Sequence, residues 1–312
     1  MKKVSLVVPC YNEADVLDPL YNEVAAVFDA LPQYELELLL VDDGSRDNTL
    51  EIMKRLAEKD SKVKFISFSR NFGKEAAMLA GLKYASGEYI GIIDADLQHS
   101  PDLLPPMIEA IENEGYDVAA ARRTDRAGEA KLKSALSEFF YKIYNKFSDV
   151  HLEESAQDFR VMKRKVVEAI ISLSEKNRFS KGIFTWVGFK TKWFEHENRQ
   201  RAAGETKWSV RKLLKYAIDG LLSFTNAPLR LPLYLGSVSV AVSILTFIGI
   251  IIAKIVNTSG SYGTVLIITA IMFFAGIILQ CLGIMGMYLA RIYDESRDRP
   301  IFIVSETNIE KA

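Results

Sequence analysis

Between Arg230 and Lys254 the chain runs for 23 residues without a charge, "LPLYLGSVSVAVSILTFIGIIIA". Between Lys254 and Arg291 it runs for 36 more, interrupted by the turn-rich patch "NTSGSYG". About 20 apolar residues cross the hydrocarbon core of a bilayer as a helix. Residues 231–290 are therefore expected to form two transmembrane helices joined by a short exterior loop. The alternative, two buried core helices of a soluble protein, would not need charge-free runs of this length. The cations orient the pair. Arg211, Lys212, Lys215 and Arg230 precede the first run, Arg291, Arg297 and Arg299 follow the second, and the loop from Asn257 to Gly263 carries none. The positive-inside rule then places both termini in the cytoplasm of a multi-pass protein of the cell membrane. No signal peptide is expected, because "VSLVVP" is too short an apolar run and follows only two lysines.

The rest of the chain is large enough for a sizeable core. A net charge of -1 over 312 residues gives no basic excess and argues against a nucleic-acid partner. Cys10 and Cys281 lie far apart, with neither zinc spacing nor a disulfide framework, which suits folding in reducing cytosol.

Residues 1–208 read as alternating strands and helices. "KVSLVVPCYNE" opens with an apolar strand, and a helical stretch follows from Asp15 to Leu31. "YELELLLVDDGSRDNT" supplies a second strand, "KVKFISFSRN" a third and "EYIGIIDAD" a fourth, with "TLEIMKRLAEKD" and "KEAAMLAGLKYAS" as helices between them. That order predicts a mostly parallel, Rossmann-like α/β sheet with helices on both faces. Ligands of such sheets bind beyond the carboxyl ends of the strands. The clusters "CYNE", "DDGS", "SRNFGK" and "DADLQ" all fall there. Neither G-x-G-x-x-G nor G-x-x-x-x-G-K-[ST] occurs, so dinucleotide and P-loop readings are unsupported.

Asp94 and Asp96 are two residues apart, which on a strand points both carboxylates the same way. Two adjacent anions need a positive partner. Hard oxygen donors, with Gln98 beyond them, suit Mg2+ or Mn2+ shared with a diphosphate. His99 is adjacent, but imidazole is a poor match for a hard ion among oxygens. After the sheet, "SVRKLLKYAIDGLLSF" places Val210, Leu213, Leu214, Ala217, Ile218, Leu221 and Leu222 on one helical face, opposite Arg211, Lys212 and Lys215. Residues 209–229 are expected as an amphipathic juxtamembrane helix at the interface, with a core helix as the alternative. Residues 291–312 form a cytosolic tail, expected to return to the sheet as a short strand.

"VVPCYNE", "VDDGSRDNT", "SRNFGKEAAMLAG" and "DADLQHSPD", with "QDFR", "RFSKGIFTWVGF" and "GETKWS", resemble the inverting GT-A polyprenyl-phosphate glycosyltransferases. That group includes dolichyl-phosphate mannose synthases and bactoprenol glucosyltransferases. The resemblance covers essentially the whole chain. It implies a GT-A catalytic domain (1–208) followed by two transmembrane helices. The implied activity is metal-dependent transfer of one hexosyl unit from a nucleotide-diphosphate sugar to polyprenyl (undecaprenyl) phosphate, with inversion. UDP-glucose or UDP-N-acetylglucosamine is favoured over GDP-mannose.

The resemblance also assigns residues. Pro9, Tyr11, Glu13 and Asp42 would cradle base and ribose, although "DDGSRDNT" also supplies helix-capping residues. Arg70 and Lys74 would meet nucleotide or phosphate. Asp94, Asp96 and Gln98 would hold the metal, with the two aspartates also facing the nucleotide. Arg122, Lys133 and Ser137 would take the acceptor phosphate, Lys133 standing where the family more often has Arg. Leu136, Phe140 and Tyr144 make an apolar stripe suited to membrane or core. Asp158 is the candidate catalytic residue. A phosphate monoester, with a second pKa of about 6, is already anionic at neutral pH and needs little help from a base. Arg199 and Arg201 would close over the diphosphate. A polysaccharide synthase would carry Q-x-x-R-W and more spans, and neither is present. A non-catalytic scaffold would have lost metal or acceptor positions that this chain keeps. Small residues of the second span offer a surface for self-association.

Overall fold

The structure, a computed structural model, describes residues 1–123, 141–142, 144–146, 148, 150–153, 155–196, 224–225 and 263–310, with a scatter of positions between 232 and 248. The chain divides into two compact units. One comprises Met1–Lys146, Val150–Gly220 and Arg299–Ala312, and the other Phe147–Asp149 and Leu221–Asp298.

The first unit is built on an eight-stranded sheet. Its strands are β1 (Lys2–Cys10), β2 (Tyr34–Asp42), β3 (Val63–Phe68), β4 (Tyr89–Ile92), β5 (Val118–Arg123), β6 (Ala156–Lys163), β7 (Thr191–His196) and β8 (Val304–Thr307), in the spatial order β7-β5-β6-β4-β1-β2-β3-β8. Strands β1 to β4 run parallel, β5 and β7 share their direction, and β6 and β8 run against it. The mostly parallel sheet is as expected.

Strand β1 is buried from Val4 to Val8 on both faces, as a central strand covered on each side must be. Its even positions, Val4, Leu6 and Val8, join the core formed with α1 (Leu17–Asp29), α2 (Thr49–Lys59) and α4 (Leu104–Asn113). Its odd position Val7 meets α3 (Lys74–Tyr84), which with α5 (Arg164–Ser172) covers the other face. Helix α1 buries Leu17, Leu20, Val24 and Phe28, one stripe at helical spacing. Helix α3 is apolar nearly all round, buried from Ala76 to Leu82, and approaches β1 closely through Gly81. A Cβ there would lie 2.1 Å from Val7 Cγ1.

Two differences from expectation position the site. The fourth strand ends at Ile92, so Asp94 and Asp96 lie beyond it rather than along its face. Ala95 and Asp96 form a turn, and Leu97 adopts φ 57°, a left-handed conformation costly for a branched side chain. In addition, β6 is inserted antiparallel between β4 and β5, with Ile92 opposite Arg160. The amino end of β6, carrying Gln157 and Asp158, therefore lies at the carboxyl edge of β4. The tail returns as expected, with β8 pairing antiparallel to β3.

In the second unit, α7 (Gly263–Ser296) contains a stretch, Phe273–Ser296, long and apolar enough to cross a membrane, with mean hydropathy 1.9 and none of it buried. Among the described residues one helix, not two, qualifies. The expected first span lies largely outside those residues. Its described run, Tyr234–Ser239, is helical. Within this unit the Tyr288 hydroxyl donates to the Thr225 carbonyl at 3.0 Å, and the Ser148 hydroxyl to the Phe224 carbonyl at 3.1 Å. The proposed amphipathic face, Val210 to Leu222, lies outside the described residues.

Candidate active site

The polar clusters that end β1, β2 and β3 are laced together at one edge of the sheet. Asp42 is buried and accepts from the Ser45 amide at 2.9 Å and the Ser67 hydroxyl at 2.8 Å. Asp43, also buried, accepts from the amides of Phe72 at 2.6 Å and Gly73 at 2.9 Å. Between this turn and the Arg70 backbone there is no room for a side chain. Gly44 has φ 65°, and a Cβ on it would lie 2.4 Å from the Arg70 carbonyl carbon. The Asn12 side chain accepts from the Arg46 amide at 2.8 Å, and the Glu13 amide donates to the Thr49 hydroxyl at 2.8 Å. Burial pushes the Asp43 carboxyl up to about 6, against the pull of the Phe72 and Gly73 amides and with help from neighbouring Asp42. Pro9 and Tyr11 are half-buried at the end of β1, and Arg70 is exposed, its guanidinium 4.1 Å above the Phe72 ring.

Lys74, the first residue of α3, joins the fourth cluster to β6. Its Nζ lies 2.7 Å from Asp94 Oδ1 and 2.5 Å from Asp158 Oδ2. A lysine in the first turn opposes the helix dipole, and its two carboxylate partners compensate. Burial disfavours the ammonium, but Asp158 and Asp94 outweigh it and hold Lys74 well above the ordinary lysine range. The Asp158 carboxyl is likewise desolvated, yet Lys74, then Lys181 and Arg160, hold it well below the usual carboxylate range. The positive partner that the paired aspartates require is thus supplied, for Asp94, by the chain itself.

Other side chains brace this triad; of them sequence reasoning had weighed only His99, and that as a metal ligand. Arg160 is buried, donates to the carbonyls of Asp158 at 3.2 Å and Gln157 at 2.8 Å, and stacks 3.7 Å from the Phe184 ring. Burial lowers its guanidinium to about 10, with Asp158 acting in the opposite direction. Glu75 accepts from the amide and hydroxyl of Ser180, the first residue of α6 (Ser180–Trp186). His99 is buried, its Nε2 2.9 Å from Gln157 Oε1, which ties the turn after β4 to β6. The other ring nitrogen, Nδ1, has no hydrogen-bond partner among the described residues. Burial, then His196 and Lys74, push the imidazole below its ordinary value, against Asp94 and Asp96. The only sequence signal for these residues was their place inside "QDFR", "RFSK", "DLQH" and, for Glu75, "SRNFGKEAAMLAG".

Arg122 stands on β5 and pairs with Glu153 at 2.8 Å and with Glu195 on β7. Its charge is met by two carboxylates rather than left open. Tyr144 is fully buried, so that member of the apolar stripe is core. Lys133, Ser137, Leu136, Phe140, Arg199 and Arg201 lie outside the described residues.

Asp94, Asp96 and Gln98 share one strained turn, in which the Gln98 amide donates to Asp96 Oδ1 at 3.2 Å. All three are half-buried, leaving oxygens accessible. No group of three His, Cys, Asp or Glu converges among the described residues. Magnesium ordinarily takes one or two carboxylates and completes its shell with phosphate and water. The donor set fits an ion shared with a diphosphate, not an all-protein cage.

Comparison with known proteins places the chain. Residues 5–171 match glycosyl transferase family 2. The chain is 42% identical over 306 residues to CsbB of Bacillus subtilis (strain 168), covering 98% of this chain and 92% of that one. It is 40% identical over 302 residues to the bactoprenol glucosyl transferase of Shigella phage SfV, covering 97% of this chain and 98% of that one. The prophage bactoprenol glucosyl transferase homolog of Escherichia coli (strain K12) is 39% identical with the same coverage. Among solved structures, glucosyl-3-phosphoglycerate synthase from Mycobacterium tuberculosis aligns with a TM-score of 0.49 and 18% identity over 71% of this chain and 79% of that one, too distant a likeness to argue from. The chain belongs to glycosyl transferase family 2, within the polyprenyl-phosphate glycosyltransferase group that includes the bactoprenol glucosyl transferases.

Proposed function

We propose that this enzyme transfers one hexosyl unit, glucose or N-acetylglucosamine, from its UDP donor to undecaprenyl phosphate at the cytosolic membrane face. The observation that carries the reading is the convergence of Lys74, Asp94 and Asp158 at the carboxyl edge of the sheet, in a chain closely related along its whole length to bactoprenol glucosyl transferases. The acceptor phosphate oxygen attacks the anomeric carbon from the face opposite the diphosphate. The new carbon–oxygen bond forms as the bond to the leaving diphosphate breaks, which inverts the centre.

Asp158 is a weak proton acceptor, because its neighbours stabilise the carboxylate so strongly. The acceptor, with a second phosphate pKa of about 6, supplies its own nucleophilic anion. Asp158 therefore holds Lys74 in place, and the Lys74 ammonium faces charge gathering on the leaving diphosphate. Asp94, Asp96 and Gln98 would hold Mg2+ or Mn2+, which when bound neutralises diphosphate charge. Pro9, Tyr11, Glu13, Asp42 and Arg70 line the nucleotide side. Arg122, Lys133 and Ser137 receive the acceptor phosphate, Arg122 exchanging Glu153 and Glu195 for it, and Arg199 and Arg201 cover the leaving group.

The test is a donor screen on purified protein with undecaprenyl phosphate and Mn2+, following label from UDP-glucose, UDP-N-acetylglucosamine and GDP-mannose into lipid. Label from a UDP sugar that disappears in Asp96→Ala is the expected result. Label from GDP-mannose alone would make this a mannosyl transferase. No label from any donor, with folded protein, would turn the reading toward a scaffold.

A further inference from the structure

The tail does more than cover the edge of the sheet. Strand β8 pairs with β3 through Ile66–Thr307, Ser67–Glu306 and Phe68–Val304, with an irregularity between Ser67 and Phe68. Side chains fix the register. Asn308 accepts from the Phe65 amide at 2.8 Å and donates to the Val63 carbonyl at 3.2 Å, the Thr307 hydroxyl donates to the Phe65 carbonyl at 2.7 Å, and Glu306 pairs with Lys54 at 2.7 Å. Pairing continues past the strand, where the Ser69 amide donates to the Ile303 carbonyl at 3.0 Å.

The preceding residue, Phe302, stacks on Phe68 with centroids 5.1 Å apart and planes at 14°. Phe68 meets Phe72 edge-on at 5.7 Å. Phe72 in turn carries the Arg70 guanidinium on its face and gives its amide to Asp43. Gly73 follows with φ 100°, and then Lys74. One aromatic relay thus runs from the tail to the segment that presents Arg70 and Lys74. An exposed loop between a strand end and a helix has few contacts of its own to define it. Here the Asp43 carboxylate fixes the Phe72 and Gly73 amides, and the aromatic packing on the loop comes from a residue more than 200 positions later in the chain.

We infer that Phe302 is a positioning residue: through Phe68 and Phe72 it sets the conformation of Ser69–Lys74, and with it the affinity for the sugar donor. The inference rests on the reading that Arg70 and Lys74 face the donor's nucleotide and phosphates. It assigns the tail a part in donor binding that mere coverage of a sheet edge would not have.

The experiment compares full-length Phe302→Ala, Phe302→Leu and Phe302→Tyr with the unaltered protein. Two quantities are measured: donor KM and kcat, and hydrogen exchange of the peptide spanning residues 69–73. The Leu variant keeps apolar cover without a ring, and the Tyr variant keeps the ring. In both Ala and Leu variants, KM for the donor should rise by about fivefold, the scale of one aromatic pair, with kcat within about twofold. Exchange at residues 69–73 should accelerate, and Tyr should restore both. A Leu variant matching the unaltered protein in KM and exchange would overturn the inference and reduce Phe302 to apolar cover. So would a fall in kcat at constant KM. Should the unaltered protein transfer no sugar, the functional reading fails by itself, and unchanged exchange in the Ala variant would separately sink the coupling.

Discussion

Lys74 has two anionic partners, and Asp158 is the more enclosed, with 15% of its side chain exposed against 27% for Asp94. Removing one member of an enclosed ion pair leaves an uncompensated charge, which costs more than the pair contributes. Lys74 itself is 36% exposed, so water screens part of that cost and the expected destabilisation is about 1–3 kcal/mol for Lys74→Met. The double variant Lys74→Met with Asp158→Asn should be more stable than the sum of the two singles by about 1 kcal/mol. Denaturant titration of the four proteins measures this, and strict additivity would mean that the two groups do not feel each other. Each single variant should lose about a hundredfold or more in transfer, the scale of one lost charge stabiliser. The sign of the pH effect follows from the Asp158 shift. Its folded carboxyl is depressed, so the stabilisation is present above its ordinary value of 3.8 and is lost as pH falls through the folded value. Asp43 shifts the other way. Raised to about 6, it favours folding below 3.8 and loses that contribution as pH climbs to about 6.

At the scale of elements, the contact between α3 and β1 governs how closely the cation-bearing helix end approaches the sheet. Gly81 leaves no space for even a methyl group against Val7. Gly81→Ala should destabilise by about 1–3 kcal/mol through overpacking, although alanine is the better helix former. A rise in melting temperature instead would show that the contact yields. The four parallel strands, the helices between them and the polar clusters at the strand ends were legible from apolar runs of 4–9 residues alternating with amphipathic stretches. The inserted strand was not. "QDFR" carried a site reading and no strand reading, and nothing local tells β6 to run antiparallel between β4 and β5, since pairing partners are chosen by edge availability and packing far along the chain. Asp94–Asp96, expected as the end of the fourth strand, lie beyond it in a turn for a related reason. Its left-handed Leu97 is a conformation that propensity disfavours and tertiary contacts impose.

For the whole molecule, α7 presents Phe273, Ile278, Leu279, Leu282 and Leu289 unburied. A soluble helix of that length would have to bury such a face. The protein should therefore sediment with membranes and stay there through alkaline carbonate washing, while detergent releases it. Recovery in the carbonate supernatant would contradict the span. By itself the sequence determined the parallel α/β core, an apolar stretch long enough for a bilayer and the acidic and basic residues at the strand ends, because each depends on local spacing of residue types; the family followed from the resemblance of its motifs. Tertiary structure alone decided that Lys74 joins Asp94 to Asp158, that Arg122 sits between two glutamates, and that Phe302 reaches back to Phe68. Those contacts join residues from 20 to more than 200 positions apart, and only the order and direction of strands in the sheet bring them within hydrogen-bonding or van der Waals reach.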